Sequence, residues 1–154
     1  MQTPIQDSPI IRLVTPQAVR TLRHRVLRPH QTLDTMVYPG DDEVTTFHLA
    51  AITTANEIVA IASFYIAAHP IDPAPHDWQL RGMAVDPVWQ GTGLGTRLMQ
   101  HATHHLAGKA GRRLWCNARL SAQHFYEKVG FTAQGDIFEI EPIGPHTVMS
   151  IDLM

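Results

Sequence analysis

The residues best suited to chemistry lie in one glycine-rich segment, Gln90-Gly91-Thr92-Gly93-Leu94-Gly95-Thr96, between an apolar run and an apolar-periodic stretch. This order predicts a strand, a turn and the first turn of a helix. The beginning of a helix leaves N–H groups without carbonyl partners and carries the positive end of the helix dipole. Glycine also allows a ligand to approach the backbone closely. The segment therefore predicts a site for an anion such as a phosphate group.

Two other phosphate-binding turns do not fit this spacing. A nucleoside-triphosphate loop needs Lys followed by Ser or Thr after its last glycine, whereas Gly95 is followed by Thr96 and Arg97. A dinucleotide turn that starts at Gly91 would need a third glycine where the chain has Thr96. It would also need an acidic residue about 20 positions later, where the stretch around 110–114 is basic and apolar. The spacing that remains is Gln90-x-x-Gly93-x-Gly95.

That spacing resembles the pyrophosphate loop of the GNAT N-acetyltransferases. A second stretch, 117–131, is similar to a later signature of the same family, because it contains an alanine, then Phe-Tyr-Glu-Lys, then Gly-Phe. Two signatures in the family's order and separation are much more specific than the loop alone, for which an ordinary turn between a strand and a helix is the alternative. The resemblance extends from about Val44 to the end of the chain.

The resemblance implies direct transfer of an acetyl group from acetyl-CoA to a primary amine. Amides of the loop would bind the pyrophosphate, with a hydroxyl from Thr96 and a screened charge from Arg97, and the preceding strand would pair with the pantetheine arm. The Val85 N–H would polarise the thioester, as an oxyanion-hole donor does. For Asn117, the alternative is a strand-end residue that satisfies local backbone. The implied cofactor-binding residues are Met83, Ala84, Val85, Gln90, Gly91, Thr92, Gly93, Leu94, Gly95, Thr96 and Asn117.

The resemblance also assigns proton transfer. Tyr126 would donate a proton to the departing CoA thiolate, which a phenol can do; its alternative is a plain core residue. The general base stays open. Gln79 stands near the place where several GNAT enzymes carry a glutamate, and a water chain or one of three residues of the last hairpin could serve instead: Glu139, Glu141 and His146.

A second function is compatible with the same loop, namely a non-catalytic module that binds acyl-CoA and would not need Tyr126.

Two further groups of residues are predicted to have no catalytic or metal-binding role. His101, His104 and His105 lack the Glu of a zinc-binding helix and are expected on a solvated face, so no metal is predicted. Cys116 lies in an apolar run and is expected to be a buried, inert thiol.

Composition narrows the possibilities. With 154 residues, 44% of them hydrophobic, the chain is expected to form one domain over residues 1–154. A net charge of −2 gives no basic footprint for nucleic acid. A lone cysteine, no apolar stretch of membrane-spanning length and no signal-peptide pattern in 1–7 predict a cytoplasmic protein. The expected partner is a small-molecule or peptide amine, and the oligomeric state stays open, a homodimer included.

The N-terminal elements begin with a β-branched run, Ile10–Val14, which predicts a strand. Thr15 and Pro16 then predict an N-cap and the first turn of a helix. The helix has two faces. Its apolar residues are Val19, Leu22, Val26 and Leu27, and its arginines, which we interpret as a solvated face with a site for an acidic partner as the alternative, are Arg20, Arg23, Arg25 and Arg28.

The segment Pro29–Glu43 has turn chemistry rather than periodicity. The resemblance implies that it borders the acceptor amine, which makes it the candidate for substrate selection. Its acidic end, Asp41-Asp42-Glu43, is interpreted as a solvated turn, with attraction of a cationic amine as the alternative.

The later elements alternate between strands and helices. The predicted order begins with a hairpin of an alternating strand, Val44–Ile52, and an apolar strand, Ile58–Ala67, followed by a strand over Trp78–Val85. A helix comes next, with an apolar stripe of Leu94, Leu98, Ala102 and Leu106, and then a strand over Arg113–Asn117. The last elements are a helix, which is capped by Ser121, buries Ala122, Phe125, Tyr126 and Val129 and has Gly130 at its end, and a hairpin of Phe131–Glu141 and His146–Leu153. This order predicts an α/β fold. The resemblance implies the GNAT three-layer arrangement, a mixed and mostly antiparallel sheet with helices on both faces and a splayed V between strands 4 and 5.

Overall fold

The structure, a computed structural model, describes residues 8–153, so the N-terminal residues used in the signal-peptide argument lie outside it. The strands are β1 (Ile10–Val14), β2 (Phe47–Ile52), β3 (Ile58–Ile66), β4 (Asp77–Val85), β5 (Arg113–Arg119), β6 (Thr132–Ile140) and β7 (Gly144–Asp152). The α-helices are α1 (Arg20–Leu22), α2 (Leu94–Gly108) and α3 (Gln123–Lys128). The strand order is β1-β2-β3-β4-β5-β7-β6.

The strand pairing confirms the predicted fold class. β4 and β5 run parallel, over a register that joins Asp77–Gln79 with Arg113–Trp115. The pairs β1–β2, β2–β3, β5–β7 and β6–β7 are antiparallel. The sheet is therefore mixed and mostly antiparallel, and the parallel register covers the first three residues of β4 and β5.

The chain forms two compact units. The first contains residues 8–65 and 82–102 of the described chain, and the second contains 66–81 and 103–153. The core of the first unit is a cluster of buried side chains from the first helical segment and strands β2, β3 and β4: Val19, Leu22, Ala50, Ile61 and Ala84.

The first helical segment confirms the predicted cap but not a uniform helix. The Thr15 side chain accepts a hydrogen bond from the Ala18 N–H, and Pro16 occupies the first turn. The segment then consists of a 3-10 turn (Pro16–Val19), the short α1 and a π-helical turn (Arg23–Leu27). The apolar stripe is buried as predicted, whereas the predicted solvated face is wrong for Arg23, which is fully buried.

Two local predictions about strands and caps are wrong. Strand β2 begins at Phe47, and both of its faces are buried, so the alternation expected from Val44 onward does not mark one exposed face. The helix after β5 is not capped by Ser121, which lies inside a 3-10 turn before α3 begins at Gln123. Within α3, Tyr126 is buried while Phe125 is partly exposed, because a six-residue helix presents little more than one turn to the core.

The long helix α2 matches its prediction closely. Its four stripe residues are between 0% and 2% exposed, and the helix ends at Gly108. In the second unit, β7 lies between β5 and β6, so the final hairpin is inserted with its second strand next to β5. Gly130, with φ 106°, follows α3, and the Phe131 N–H donates to the Tyr126 carbonyl at 2.9 Å, which closes the helix end as expected.

Candidate functional site

The loop between β4 and α2 is built by short-range hydrogen bonds. An Asp86 carboxylate oxygen accepts from the Val88 N–H at 3.1 Å and begins a 3-10 turn over Pro87–Trp89. The Thr92 hydroxyl then donates to the Trp89 carbonyl at 2.6 Å. These contacts form the turn that connects the end of β4 to the first residue of α2.

Two glycines in the loop have backbone conformations that other residues adopt at a cost. Gly91 has φ 81° and Gly93 has φ 85°. A Cβ at either position would meet no atom of residues 8–153 within 4 Å. Packing therefore does not explain these glycines. The backbone conformation and the open space in front of it do, and both suit a ligand that contacts the backbone directly.

The amides at the start of α2 face the same open region. The first backbone bond of the regular helical pattern runs from the Arg97 N–H to the Gly93 carbonyl at 3.0 Å. The N–H groups of Leu94, Gly95 and Thr96 come before it, and the geometry of a helix provides no carbonyl for them. With the positive end of the dipole of a 15-residue helix, they have the geometry that the predicted anion site requires.

Three side chains near the loop are already engaged with the protein. Gln90 Nε2 donates to the Val85 carbonyl at 3.0 Å, and Thr92 holds Trp89 as described above. Arg97, expected to supply a screened charge, donates from Nη2 to the Pro9 carbonyl at 2.8 Å. Gln90 and Thr92 therefore shape the loop, and the contacts that they could make with a cofactor would come from their backbone.

The end of β4 alternates between core and surface. Ala84 is 4% exposed and belongs to the first unit's core, whereas Met83 and Val85 are half-buried. Gly82, just before them, has φ 65°. A Cβ on Gly82 would lie 3.1 Å from Arg23 Nε and 3.4 Å from Tyr38 Cε2. The sequence did not single out Gly82, because an isolated glycine in a strand carries no signal for a positive φ.

Tyr126, in the second unit, is 7% exposed and packs between two aromatic rings. Its ring centroid lies 5.3 Å from that of Phe125 and 5.2 Å from that of Phe131. Burial raises the pKa of the Tyr126 phenol well above its ordinary value. Within residues 8–153 no protein group is hydrogen-bonded to its hydroxyl, and the ring is held by its packing between the two aromatic neighbours.

On β5, two neighbouring residues have opposite environments. Cys116 is 2% exposed, which confirms the predicted burial, and burial raises the pKa of its thiol, which favours the protonated form. Asn117 is exposed, with its backbone paired opposite Val148 in the register of β5 and β7. The amide side chain of Asn117 is thus presented outward from the strand.

The candidate bases occupy different surroundings. Glu139 and Glu141 are exposed, and Gln79 is half-buried. His146 is 4% exposed, and its Nδ1 lies 2.7 Å from the Gly144 carbonyl oxygen. Since a carbonyl only accepts, Nδ1 is the donor in this contact.

The helix histidines divide between two environments. His101 and His104 are exposed, as expected, but His105 is half-buried. Across residues 8–153 no group of three or more His, Cys, Asp or Glu side chains is placed to hold a metal ion.

The main polar feature that the sequence did not predict is a buried cluster around Arg23. Arg23 Nη1 and Nη2 bind the two carboxylate oxygens of Asp41 at 2.7 and 3.0 Å. Nη1 also donates to the Met36 carbonyl, and Nη2 to the hydroxyls of Ser63 and Tyr65. Asp41 is 2% exposed, so the interpretation of Asp41 as part of a solvated turn is wrong.

Comparisons with known proteins agree with the geometry of the loop. The profile of the Acetyltransferase (GNAT) family matches residues 17–131. The chain belongs to this family. The uncharacterized N-acetyltransferase YitI of Bacillus subtilis (strain 168) is 33% identical over 139 residues, which is 90% of this chain and 93% of YitI. GNAT members transfer acyl groups, so the chain is an acyltransferase.

Solved structures show the same fold at low identity. ElaA of Escherichia coli superposes with a TM-score of 0.76 at 17% identity, over 93% of this chain and 99% of ElaA. The GNAT family N-acetyltransferase YhbS of Escherichia coli, solved in complex with CoA, has a TM-score of 0.76 at 15% identity, over 100% of this chain and 86% of YhbS. None of the helices in residues 8–153 is both long and apolar enough to span a membrane.

Proposed function

We propose that this GNAT protein transfers the acetyl group of acetyl-CoA directly to a primary amine. The observation that carries the proposal is the loop at the end of β4, where Gly91 and Gly93 have positive φ and the first amides of α2 have no carbonyl of their own helix. A pyrophosphate is the part of CoA that such a loop suits best, because its charge complements the helix dipole.

The geometry supports a role for each predicted cofactor-binding segment. Amides from Gly91 to Thr96 bind the pyrophosphate. The backbone of Met83, Ala84 and Val85 pairs with the amide groups of the pantetheine arm, as an added strand would. The bond from Gln90 to the Val85 carbonyl fixes the path from strand to loop, so both parts of the cofactor are bound by one continuous stretch of chain. The Val85 N–H then polarises the thioester carbonyl.

Tyr126 is the proposed proton donor to the CoA thiolate. Its phenol stays protonated at neutral pH, because burial raises its pKa. Direct transfer is favoured over an acetyl-cysteine intermediate, because burial also raises the pKa of the Cys116 thiol and a protonated thiol is a poor nucleophile. The exposed amide of Asn117 is assigned to the pantetheine arm.

The alternative, a module that binds acyl-CoA without catalysis, is less well supported because the relative that covers nearly all of this chain is described as an N-acetyltransferase. A small-molecule or peptide amine is the proposed acceptor. The cytoplasmic location, the homodimer and the single domain stay predictions.

Catalysis and binding can be tested together. Calorimetry with CoA and acetyl-CoA measures binding, and release of free thiol over a panel of primary amines measures turnover. Tyr126→Phe keeps the ring and its packing, so we expect unchanged binding of acetyl-CoA and a kcat that falls about 10²- to 10⁴-fold, the range for loss of a general acid. Binding without amine-dependent thiol release would establish the module instead. Propionyl-CoA, assayed in parallel, tests the preference for acetyl.

A further inference from the structure

Two arginines share one aromatic ring in the segment between the first helix and β2. The guanidinium carbon of Arg23 lies 3.9 Å from the centroid of the Tyr38 ring, and that of Arg28 lies 5.6 Å from the same centroid. Both distances are within the range of a cation–π interaction. The pair brings two positive charges to one buried tyrosine, which is 7% exposed.

The π-helical turn over Arg23–Leu27 explains how both arginines reach this ring. In an α-helix, residues five apart point about 140° away from each other, because each residue turns the chain by about 100°. In a π turn, residue i bonds to residue i+5, which stacks the two on one side. The Arg28 N–H bonds to the Arg23 carbonyl at 3.2 Å, as in a π turn, and shares this bond with the His24 carbonyl, also at 3.2 Å. A π turn inside a helix is a feature found frequently at functional sites.

The guanidinium groups of Arg23 and Arg28 differ in whether a carboxylate is paired with them. Arg23 is neutralised by its bidentate pair with Asp41. Arg28 has no carboxylate within ion-pair distance in the part of the chain that the structure describes. Its Nε is shielded from water and has no hydrogen-bond partner there. The other acidic side chains of this segment are exposed: Asp34, Asp42 and Glu43.

A half-buried guanidinium without a counter-charge is costly unless something pairs with it. Its structural alternative is a cation that only packs on Tyr38 and is hydrated at its outer nitrogens. That alternative leaves the Arg28 charge without a carboxylate from residues 8–153, although the chain brings it to the Tyr38 ring. An anionic ligand supplies the counter-charge.

The position of Tyr38 connects Arg28 to the reaction. The Tyr38 ring approaches β4 at Gly82, where a Cβ would lie 3.4 Å from Tyr38 Cε2. Gly82 directly precedes Met83, the first residue proposed to pair with the pantetheine arm. The Tyr38 ring therefore lies between Arg28, where the anion would bind, and the end of β4, which would pair with the acyl donor. All of these residues belong to the first unit.

We propose that Arg28 binds a carboxylate of the acceptor, and hence that the acceptors of this acetyltransferase are primary amines that also carry a carboxylate group. The inference rests on the proposed function and deepens it. One uncompensated guanidinium matches one carboxylate in charge and offers the planar donors that carboxylates accept in pairs. The Tyr38 ring supplies an apolar wall beside the carbon chain that joins the carboxylate to the amine.

The test compares amines that differ only in charge at the far end. Glycine, β-alanine, 4-aminobutyrate and the common α-amino acids are each assayed against their carboxamides, with acetyl-CoA as donor. We expect wild-type protein to favour at least one acid over its amide by about 10- to 100-fold in kcat/KM, which corresponds to a hydrogen bond to a charged group. Arg28→Gln should abolish the preference by raising KM for the acid while kcat changes little. Arg28→Lys should retain part of it.

Controls separate this inference from loss of folding or of cofactor binding. Arg12→Gln removes the same charge from the exposed edge strand β1 and should leave the acid-to-amide ratio unchanged. The dissociation constant of CoA should be equal in wild-type protein and Arg28→Gln. If Arg28 instead holds a phosphate of CoA, CoA binding weakens in the variant and the inference is wrong.

The remaining outcomes also decide the matter. Carboxamides or uncharged amines that react as well as the acids overturn the inference and leave the acetyltransferase proposal standing. Protein that binds acetyl-CoA but acetylates no amine contradicts the proposed function, and the inference with it. The acid-to-amide ratio of wild-type protein needs no variant, so poor folding of Arg28→Gln would not remove the test.

Discussion

The first unit contains two polar regions, each built around a glycine with positive φ, that differ in what surrounds them. At Gly93 a Cβ would meet no atom of the described residues within 4 Å, and the nearby amides of α2 have no partner in their own helix. At Gly82 a Cβ would meet Arg23 and Tyr38 at 3.1 and 3.4 Å. The first glycine faces open space and the second a packed side-chain cluster, so a positive φ leaves the backbone accessible in one place and accommodates close packing in the other.

The buried cluster satisfies its charges with protein atoms. The Asp41 carboxylate binds both Nη atoms of Arg23, accepts the Tyr38 N–H at 2.9 Å and accepts the Tyr65 hydroxyl. Burial by itself would raise the pKa of Asp41, but the hydrogen bonds from Arg23 and Tyr65 outweigh it and lower the pKa below its ordinary value. The carboxylate and both Nη atoms of this cluster are therefore paired within the protein, whereas the first amides of α2 have no carbonyl in their own helix.

The largest effect is expected from breaking the cluster. Asp41→Asn keeps the shape of the side chain but leaves the Arg23 charge buried without a counter-ion, so the free energy of unfolding should fall by about 3–5 kcal/mol. Urea unfolding measures it. Asp42→Asn, one residue along and exposed, should change stability by less than about 0.5 kcal/mol.

If Asp41→Asn does not fold, the double variant R23M/D41N tests the same point. Removing both partners leaves no unpaired charge, so the double variant should be more stable than Asp41→Asn alone. Equal stability of Asp41→Asn and wild-type protein would show that the ion pair does not carry the structure of this region.

A smaller effect, on binding rather than folding, is expected at the open loop. Gly93→Asp places a negative charge beside the proposed pyrophosphate and should weaken CoA binding by about 10- to 100-fold, the equivalent of a lost charged hydrogen bond. Gly93→Ala carries the same backbone strain, about 1–2 kcal/mol, without the charge. The difference between the two variants in calorimetry isolates the electrostatic part. CoA affinities that match wild type in both variants would refute the assignment of the loop.

The smallest effect concerns pH and again separates the two regions. His48 is buried in the cluster, with Nε2 donating to the Asp41 carbonyl at 3.1 Å and Nδ1 2.6 Å from the Ser63 hydroxyl. Burial lowers the pKa of His48 below its ordinary 6.5. As pH falls below about 6.5, His48 binds a proton in the unfolded chain more readily than in the folded chain. The free energy of unfolding should therefore decrease. Asp41, with its lowered pKa, stays ionised through this range.

Unfolding in urea between about pH 8 and pH 5, across the ordinary histidine pKa, measures this dependence. In His48→Gln the slope should be smaller, because the titrating group is gone while a side chain able to form hydrogen bonds remains. An unchanged slope would assign the dependence to other histidines.

The elements that sequence predicted well depend on neighbouring residues. The Thr15 cap, the buried stripe of α2 and the end of α3 at Gly130 each follow from the conformational preferences of residues within one or two turns. The loop at Gln90–Thr96 belongs to the same class, because a glycine's positive φ and a helix start are local events. The cap predicted at Ser121 failed because a 3-10 turn after β5 shifted the beginning of α3.

The prediction for Arg23 and Asp41 failed for a different reason. Arginines spaced along an amphipathic helix and acidic residues in a turn are each most often exposed. Their burial depends on Ser63 and Tyr65, which approach from strand β3. The residue pattern of the first helical segment, or of the turn that contains Asp41, does not show that side chains of β3 will pack against it.

The amino-acid sequence by itself determined the glycine-rich loop before α2, the order of strands and helices and the family, because these depend on residue types at fixed short spacings. Only the tertiary structure decided which charges are paired and which are not. Arg23 and Arg28 are the same residue type five positions apart, and a π turn brings both to Tyr38, yet within residues 8–153 Arg23 receives a carboxylate and Arg28 does not. The difference arises because an ion pair forms only where folding brings two distant segments close together, and local sequence does not fix that distance.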